Sequence, residues 1–334
     1  MSQKKTVYQY SCDGDYIATH DSVYTAAENV GRKDDAPLIS RACRKGYIHK
    51  GFHWSYNPRK HYHHYHNDIE THSPQLPAVL ILDIETSLCE GYMWGCGKQY
   101  IPISAIKEDW FMLGFSSKWL FDPEVISEFV TPGEAIKKDD SRVCRKLWEL
   151  MDKADVIIAH FGDEFDIKKS NSRFYINGLM RPSPFLSIDT VKASRKVFAH
   201  TSNKLDYLSW INSRKHKLKT DLSLWINCMN GNAESLAYMQ KYCDIDMLLL
   251  EEYYISIRGW IPNHPNYNLI IEPDGKLRCG VCLEADRFKF SGHYKTPVNR
   301  YRTLRCLNCT AQFRLRKSEI TKEQKDLIMA SVAR

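Results

Sequence analysis

The chain of 334 residues contains no apolar run that approaches the length of a membrane span. Its opening, MSQKKTVYQYSCDGDY, lacks the apolar core of a secretory signal. Both absences set a cytoplasmic location, away from any membrane, as the expectation. Cysteine is plentiful at 11 residues, but the count is odd, so disulfides cannot pair them all. With two Cys-x-x-Cys pairs present, reduced thiols with four of them on a metal is the better reading. Residues 57–77, NPRKHYHHYHNDIETHSPQLP, lack any apolar period and read as a linker. His61, His63, His64 and His66 within it could ligate a transition metal, although such tracts often do nothing specific.

A hydrophobic fraction of 43% and a charged fraction of 26% are those of a soluble globular protein. The length allows one good-sized core plus one or two small modules. The net charge of +7 is unevenly spread: residues 1–66 carry +4, residues 274–334 carry +8, and the middle carries −5. Basic ends around an acidic centre suit a metal-dependent site flanked by modules that hold a polyanion. Charge alone does not choose DNA over RNA.

Three distant stretches supply the acidic centre. In LDIET, Asp83 and Glu85 stand two apart at the end of the apolar run 78–82, so a β-strand aims both at one face. In FGDEFD, Asp166 opens an amphipathic segment after the strand-like run 156–159. In YCDID, Asp246 follows Tyr242 by four residues, which puts both on one side of a helix. Taken singly, each has an ordinary structural explanation: a strand end, a helix cap, a helix surface. Their order and separations let a single α/β domain bring four carboxylates to one point. Oxygen ligands of this kind suit Mg²⁺ or Mn²⁺, and two such ions can drive phosphodiester hydrolysis.

The pattern from 78 to 262 alternates. Strands are expected at 78–83, 110–119, 124–130 and 155–159, with helices at 141–153, 166–179, 203–212 and 233–258. Three early strands followed by helix, strand and helix argue for a mixed sheet packed by helices.

Residues 1–56 read as a separate unit. Two short helices, 23–30 and 38–44, are separated by the polar stretch 31–35, and an aromatic-rich hairpin or extended segment follows at 46–56. Arg41, Arg44 and Lys45 lie late in the second helix, as in a major-groove reader. The A-A helix, the I-S-x-A-C-R helix and the G-x-x-W end resemble the helix-turn-helix modules appended to homing endonucleases. The resemblance covers about 35 residues and implies a phage or mobile-element setting.

The three acidic segments resemble the DEDD superfamily of 3′–5′ exonucleases, and most closely the proofreading domain of family B DNA polymerases. Tyr242 stands where another branch has histidine, so the resemblance is to the DEDDy type. It implies a ribonuclease H-like fold in which Asp83, Glu85, Asp166 and Asp246 hold two Mg²⁺ or Mn²⁺ ions. It also implies that Tyr242 orients the attacking water; an ordinary phenol, with a pKa of about 10, is a poor base. One position departs from the pattern. Where the second motif commonly has asparagine, five residues before the aspartate, this chain has Phe161, preceded by His160. Phe161 could stack on a terminal base or sit in the core, and the core is the preferred reading. Ser187-Ile-Asp-Thr190 and Ser202-Asn-Lys-Leu-Asp206 also match the family, with Asp189 a supporting residue or a helix cap. Polymerase palm and fingers have no room after this domain.

Cys279-Gly-Val-Cys282 and Cys306-Leu-Asn-Cys309, with 23 residues between them, have the spacing of a zinc ribbon, a closed structural Zn²⁺ site. The insert carries Tyr294, Lys295, Arg300, Tyr301, Arg302 and Arg305, and Phe313, Arg314 and Arg316 follow. Aromatics interleaved with arginines can stack on bases and pair with phosphates, although ribbons also bind proteins.

The expected organisation is therefore an α/β chain in five parts. These are a helix-turn-helix-like module at 1–56, a linker at 57–77, an exonuclease domain at 78–262, a zinc ribbon at 263–317 and a terminal helix or tail at 318–334. The expected activity is release of nucleotides from single-stranded DNA 3′ ends, with a replication or recombination protein as a further partner. The alternatives are RNA trimming by the same carboxylates and a catalytically weak nucleic-acid-binding adaptor.

Overall fold

A computed structural model describes residues 5–11, 16–30, 35–45, 50, 52–56, 58, 76–95 and 97–329, with the side chains of 41, 44 and 45 excepted. The histidine tract at 61–66, the stretch joining the two N-terminal helices at 31–34, and the Arg41, Arg44 and Lys45 side chains lie outside the described residues. Contacts divide the chain into two units, Met1–Ser73 and Pro74–Arg334.

In the first unit, strands β1 (Val7–Tyr10) and β2 (Tyr16–His20) precede helices α1 (Val23–Val30) and α2 (Ala36–Lys45), and β3 (His53–Ser55) closes it. Both helices were expected. The three-stranded antiparallel sheet, ordered β2-β1-β3, adds two strands, Val7–Tyr10 and Tyr16–His20, to the expected helices. Ser22 and Thr25 start α1 reciprocally: the Thr25 N–H donates to Ser22 Oγ at 3.2 Å, and the Ser22 N–H donates to Thr25 Oγ1 at 2.9 Å. Val7, Ala26, Ala27, Ile39 and the fully buried Trp54 form the core.

The second unit is built on strands β4 (Val79–Thr86), β7 (Met112–Trp119), β8 (Ile126–Phe129), β9 (Val156–Ala159) and β10 (Leu186–Asp189). Their order is β10-β9-β4-β7-β8. β4, β9 and β10 run parallel, and β7 and β8 are antiparallel to their neighbours. β4 and β9 are continuous apolar runs because both faces of the sheet are covered. Leu80, Leu82 and Ile84 enter one core, while Val79 and Ile81 enter the other. A short pair, β5 (Glu90–Gly91) and β6 (Ile106–Glu108), interrupts the path from β4 to β7.

The helices are α3 (Pro132–Lys137), α4 (Ser141–Asp152), α5 (Asp166–Ile176), α6 (Thr190–Val197), α7 (Leu205–Ser213), α8 (Leu222–Met229) and α9 (Ala233–Ile257). No described helix is long and apolar enough to cross a membrane. The Asn232 side chain caps α9 by accepting the Ser235 N–H at 2.8 Å. The buried residues of α9 recur through Leu236, Met239, Tyr242, Cys243, Asp246, Leu249, Leu250, Tyr253 and Ile257. That spacing lays one stripe along strands β4, β7 and β8. Asp246 stands on the core stripe, where an unpaired carboxylate is costly.

Beyond α9, an antiparallel sheet of β11 (Phe288–Thr296), β12 (Asn299–Cys306) and β13 (Gln312–Ser318) follows, with α10 (Lys322–Asp326) after it. This sheet belongs to the second unit. The Tyr267 N–H donates to the Gly280 carbonyl at 2.8 Å. A Cβ on Gly259, just past α9, would lie 2.1 Å from the Cys309 carbonyl oxygen, so only glycine permits this approach.

Candidate metal centre

β4 lies where the sheet changes direction, between parallel β9 and antiparallel β7. Such a point, at the carboxyl ends of the parallel strands, is where open α/β sheets form their sites. Asp83 and Glu85 occupy that end of β4. Asp166 follows β9 in the first turn of α5 and returns to β4, its Oδ1 accepting the Ile84 N–H at 3.1 Å. Asp246 arrives from α9. Four acids from three distant segments thus lie near enough to one another to interact electrostatically.

The tightest grouping is Asp83, Glu85 and Cys243, whose candidate ligand atoms lie within 4.8 Å of one another. The Cys243 thiol donates to Asp83 Oδ2 at 3.2 Å. Asp166 and Asp246, each only 2% exposed, join through their fields. Burial and then the neighbouring Asp83, Asp246 and Asp166 push the Glu85 carboxyl well above its ordinary range, against an opposing pull from Lys217. Asp166 is raised by burial and by Asp83. Asp246 is pushed up to about 7 by burial and by Asp83, with Lys217 acting the other way. Asp83 is also raised by burial, and Lys217 and Cys243 offset part of that.

Two features fit a bound cation. Asp246 Oδ1 is buried with no hydrogen-bond partner among the described residues. The carboxylates also repel one another, a strain that positive charge relieves.

Lys217, in the loop between α7 and α8, was not anticipated. Its Nζ lies 2.5 Å from Asp246 Oδ2 and 4.7 Å from the centroid of the Tyr242 ring. Burial works against its charge, but Asp246 and Tyr242 outweigh burial and hold the ammonium above the ordinary lysine value. The Tyr242 hydroxyl is pushed up by burial and by Asp246, so at neutral pH it stays protonated. The sequence signal for Lys217 was faint, one lysine among several in SRKHKLKT.

Beside the site, Asp189 caps α6, accepting the Val191 and Lys192 N–H groups at 2.9 and 3.1 Å. It also accepts the Phe161 N–H at 3.2 Å. The preferred core placement of Phe161 is corrected: the residue is 42% exposed and has a left-handed backbone, φ 72°. The turn from β9 into α5 needs that conformation, and it carries the ring out of the core. His160 is the residue turned inward. Its Nε2 bonds the Asn203 carbonyl at 2.9 Å and its Nδ1 lies 2.8 Å from Thr190 Oγ1. A carbonyl only accepts, so Nε2 carries the proton and Nδ1 accepts from Thr190.

The four C-terminal cysteines also converge. Cys279 and Cys309 have sulfurs 3.5 Å apart, and Cys282 and Cys306 have sulfurs 3.7 Å apart. These separations are far too long for disulfides, whose sulfurs lie about 2.05 Å apart. Four thiolates around one tetrahedral zinc at about 2.3 Å would stand about 3.8 Å apart. The group can therefore hold a metal such as zinc.

The arginines between the knuckles do not form one patch. Arg300 Nε pairs with Glu319 at 3.1 Å, and the Arg302 guanidinium lies 5.2 Å from the Phe290 ring centroid. Arg305 alternates to the opposite face, where it is paired with Lys289. No protein-family model matches the chain, and no curated protein matches it.

Proposed function

We propose that the chain is a metal-dependent 3′–5′ exodeoxyribonuclease of the DEDDy type on a ribonuclease H-like domain. The observation that carries this reading is the meeting of four carboxylates at one sheet switch point, with Asp246 Oδ1 buried and unsatisfied. Asp83, Glu85, Asp166 and Asp246 would hold Mg²⁺ or Mn²⁺, which when bound neutralises phosphate charge and makes water a nucleophile near neutral pH. Tyr242, kept protonated, is suited to orient that water by a hydrogen bond rather than to deprotonate it. Lys217 holds Asp246 and Tyr242 in register with each other. The order of the mixed sheet, with β4 at its centre, supports the ribonuclease H-like assignment. The four cysteines would hold a structural zinc.

The test follows 5′-labelled single-stranded and 3′-recessed DNA with Mg²⁺, Mn²⁺ or no divalent ion. Asp83→Ala and Asp246→Ala should abolish shortening from the 3′ end while zinc content survives. Tyr242→Phe should retain weak activity. Undiminished shortening in both alanine variants would sink the reading.

A further inference from the structure

The C-terminal sheet leaves both faces largely open: of the residues in β11, β12 and β13, Cys306 alone is buried. Strand register sorts its side chains. Lys289 is opposite Arg305, Tyr294 is opposite Tyr301, and Thr303 is opposite Arg314. Paired residues share a face, and alternation along β12 places Tyr301, Thr303 and Arg305 together. The opposite face carries Phe290, Arg302 and Leu304.

The two faces differ in chemistry. On the second, Phe288 and Phe313 pack toward the cysteine cluster, Glu319 pairs with Arg300 at 3.1 Å, and the same carboxylate lies 3.1 Å from His293 Nε2. On the first, Lys289, Arg305 and Arg314 have no ion-pair partner among the described residues. The Arg314 guanidinium lies 4.4 Å from the Tyr301 ring centroid and 5.5 Å from that of Tyr294. Tyr294 is 51% exposed. The two rings hold the guanidinium in place, with an outer surface left for a flat group and N–H edges left for a phosphate.

We propose that this face of the sheet, centred on Tyr294, Tyr301 and Arg314 and flanked by Lys289 and Arg305, is a platform for single-stranded nucleic acid. Bases stack on the tyrosine and guanidinium planes, and phosphates meet the unpaired cations. The opposite face, which contains Arg300 and Arg302, does not take part. The proposal rests on the nuclease reading only for the destination of the strand.

The test measures anisotropy of a fluorescent oligothymidine with the full chain carrying Asp83→Ala and no added divalent ion, so that nothing is cut. Tyr301→Ala and Arg314→Ala should each weaken binding about tenfold. Arg314→Ala should also lower the salt slope by about one. Tyr301→Phe should bind as the parent does, and Arg300→Ala and Arg302→Ala should stay within about twofold of it, with zinc content equal throughout. The single strand should bind more tightly than a duplex of equal length. Equal binding of the duplex, or losses confined to the Arg300 and Arg302 variants, would overturn the platform. If the wild-type chain cleaves DNA while Tyr301 and Arg314 prove dispensable for binding, the platform fails and the nuclease stands. If Tyr301 and Arg314 are required but the wild-type chain never cleaves, the platform stands and the nuclease fails.

Discussion

The ammonium of Lys217 sits 2.5 Å from Asp246 Oδ2, so a loop lysine supplies positive charge to a cluster of four acids, of which Asp166 and Asp246 are buried. It offsets the fields on Asp83, Glu85 and Asp246 alike. Removing one member of a buried pair leaves the other uncompensated. Lys217→Met should therefore destabilise the metal-free protein by about 3 kcal/mol. Added Mn²⁺ should restore most of that loss, since the ion supplies the missing charge. Urea denaturation with and without Mn²⁺ measures both effects, and an unchanged midpoint in the metal-free state would refute the role assigned to Lys217.

His160 links folding to pH. Burial is the main cause that lowers its pKa from 6.5 to about 4, with partial opposition from the Asn203 carbonyl and Asp189. The unfolded chain binds this proton more readily than the folded one, so stability falls as pH drops. The loss starts near pH 6.5 and is complete near pH 4. At about 1.4 kcal/mol per pKa unit it amounts to about 3 kcal/mol. The stability difference between wild type and His160→Gln should narrow by that amount across the window. Denaturant curves at several pH values measure it, and a difference that stays flat would show that His160 is not held neutral.

Phe161 adopts a conformation with φ 72° that favours glycine, and its ring is 42% exposed. A non-glycine residue in that region costs about 1–3 kcal/mol. Phe161→Gly keeps the N–H that Asp189 accepts, so it should raise stability by about 1 kcal/mol. A drop of similar size in the thermal melt would mean that the ring contributes packing after all.

The four-cysteine site should be needed for the C-terminal sheet, which has little apolar core of its own. Cys306→Ser is expected to lose bound zinc and to make residues 277–318 sensitive to protease while the central sheet persists. Gly259→Ala tests the seam with α9. A Cβ there meets the Cys309 carbonyl oxygen at 2.1 Å, so a cost of about 2–3 kcal/mol and faster zinc loss to a chelator are expected. Zinc retention and an unshifted melt would show that the seam relaxes freely.

Much of the fold was legible locally. A helix expected over 141–153 is Ser141–Asp152, and one expected over 233–258 is Ala233–Ile257, because each carries a continuous apolar stripe. The apolar runs that become β4 and β9 declared themselves in the same way. Less visible were β10, which has two exposed residues among its four, and α6, whose start depends on the Asp189 cap. The β1–β2 pair was missed because Tyr16–His20 is mostly exposed and lacks a strong apolar alternation.

By itself the amino-acid sequence determined which groups were available and in what local order: the D-x-E on a strand, the Y-x-x-x-D on a helix, and the two Cys-x-x-Cys pairs. Short-range periodicity sets those directions, so they can be read along the chain. Only the tertiary structure decided that Lys217 enters the acid cluster, that Phe161 turns outward while His160 turns in, and that Arg305 parts from Arg300 and Arg302. Each of these depends on a neighbour far away in sequence or on strand register. Local pattern carries no record of either, because the energies that select them arise only when distant segments pack together.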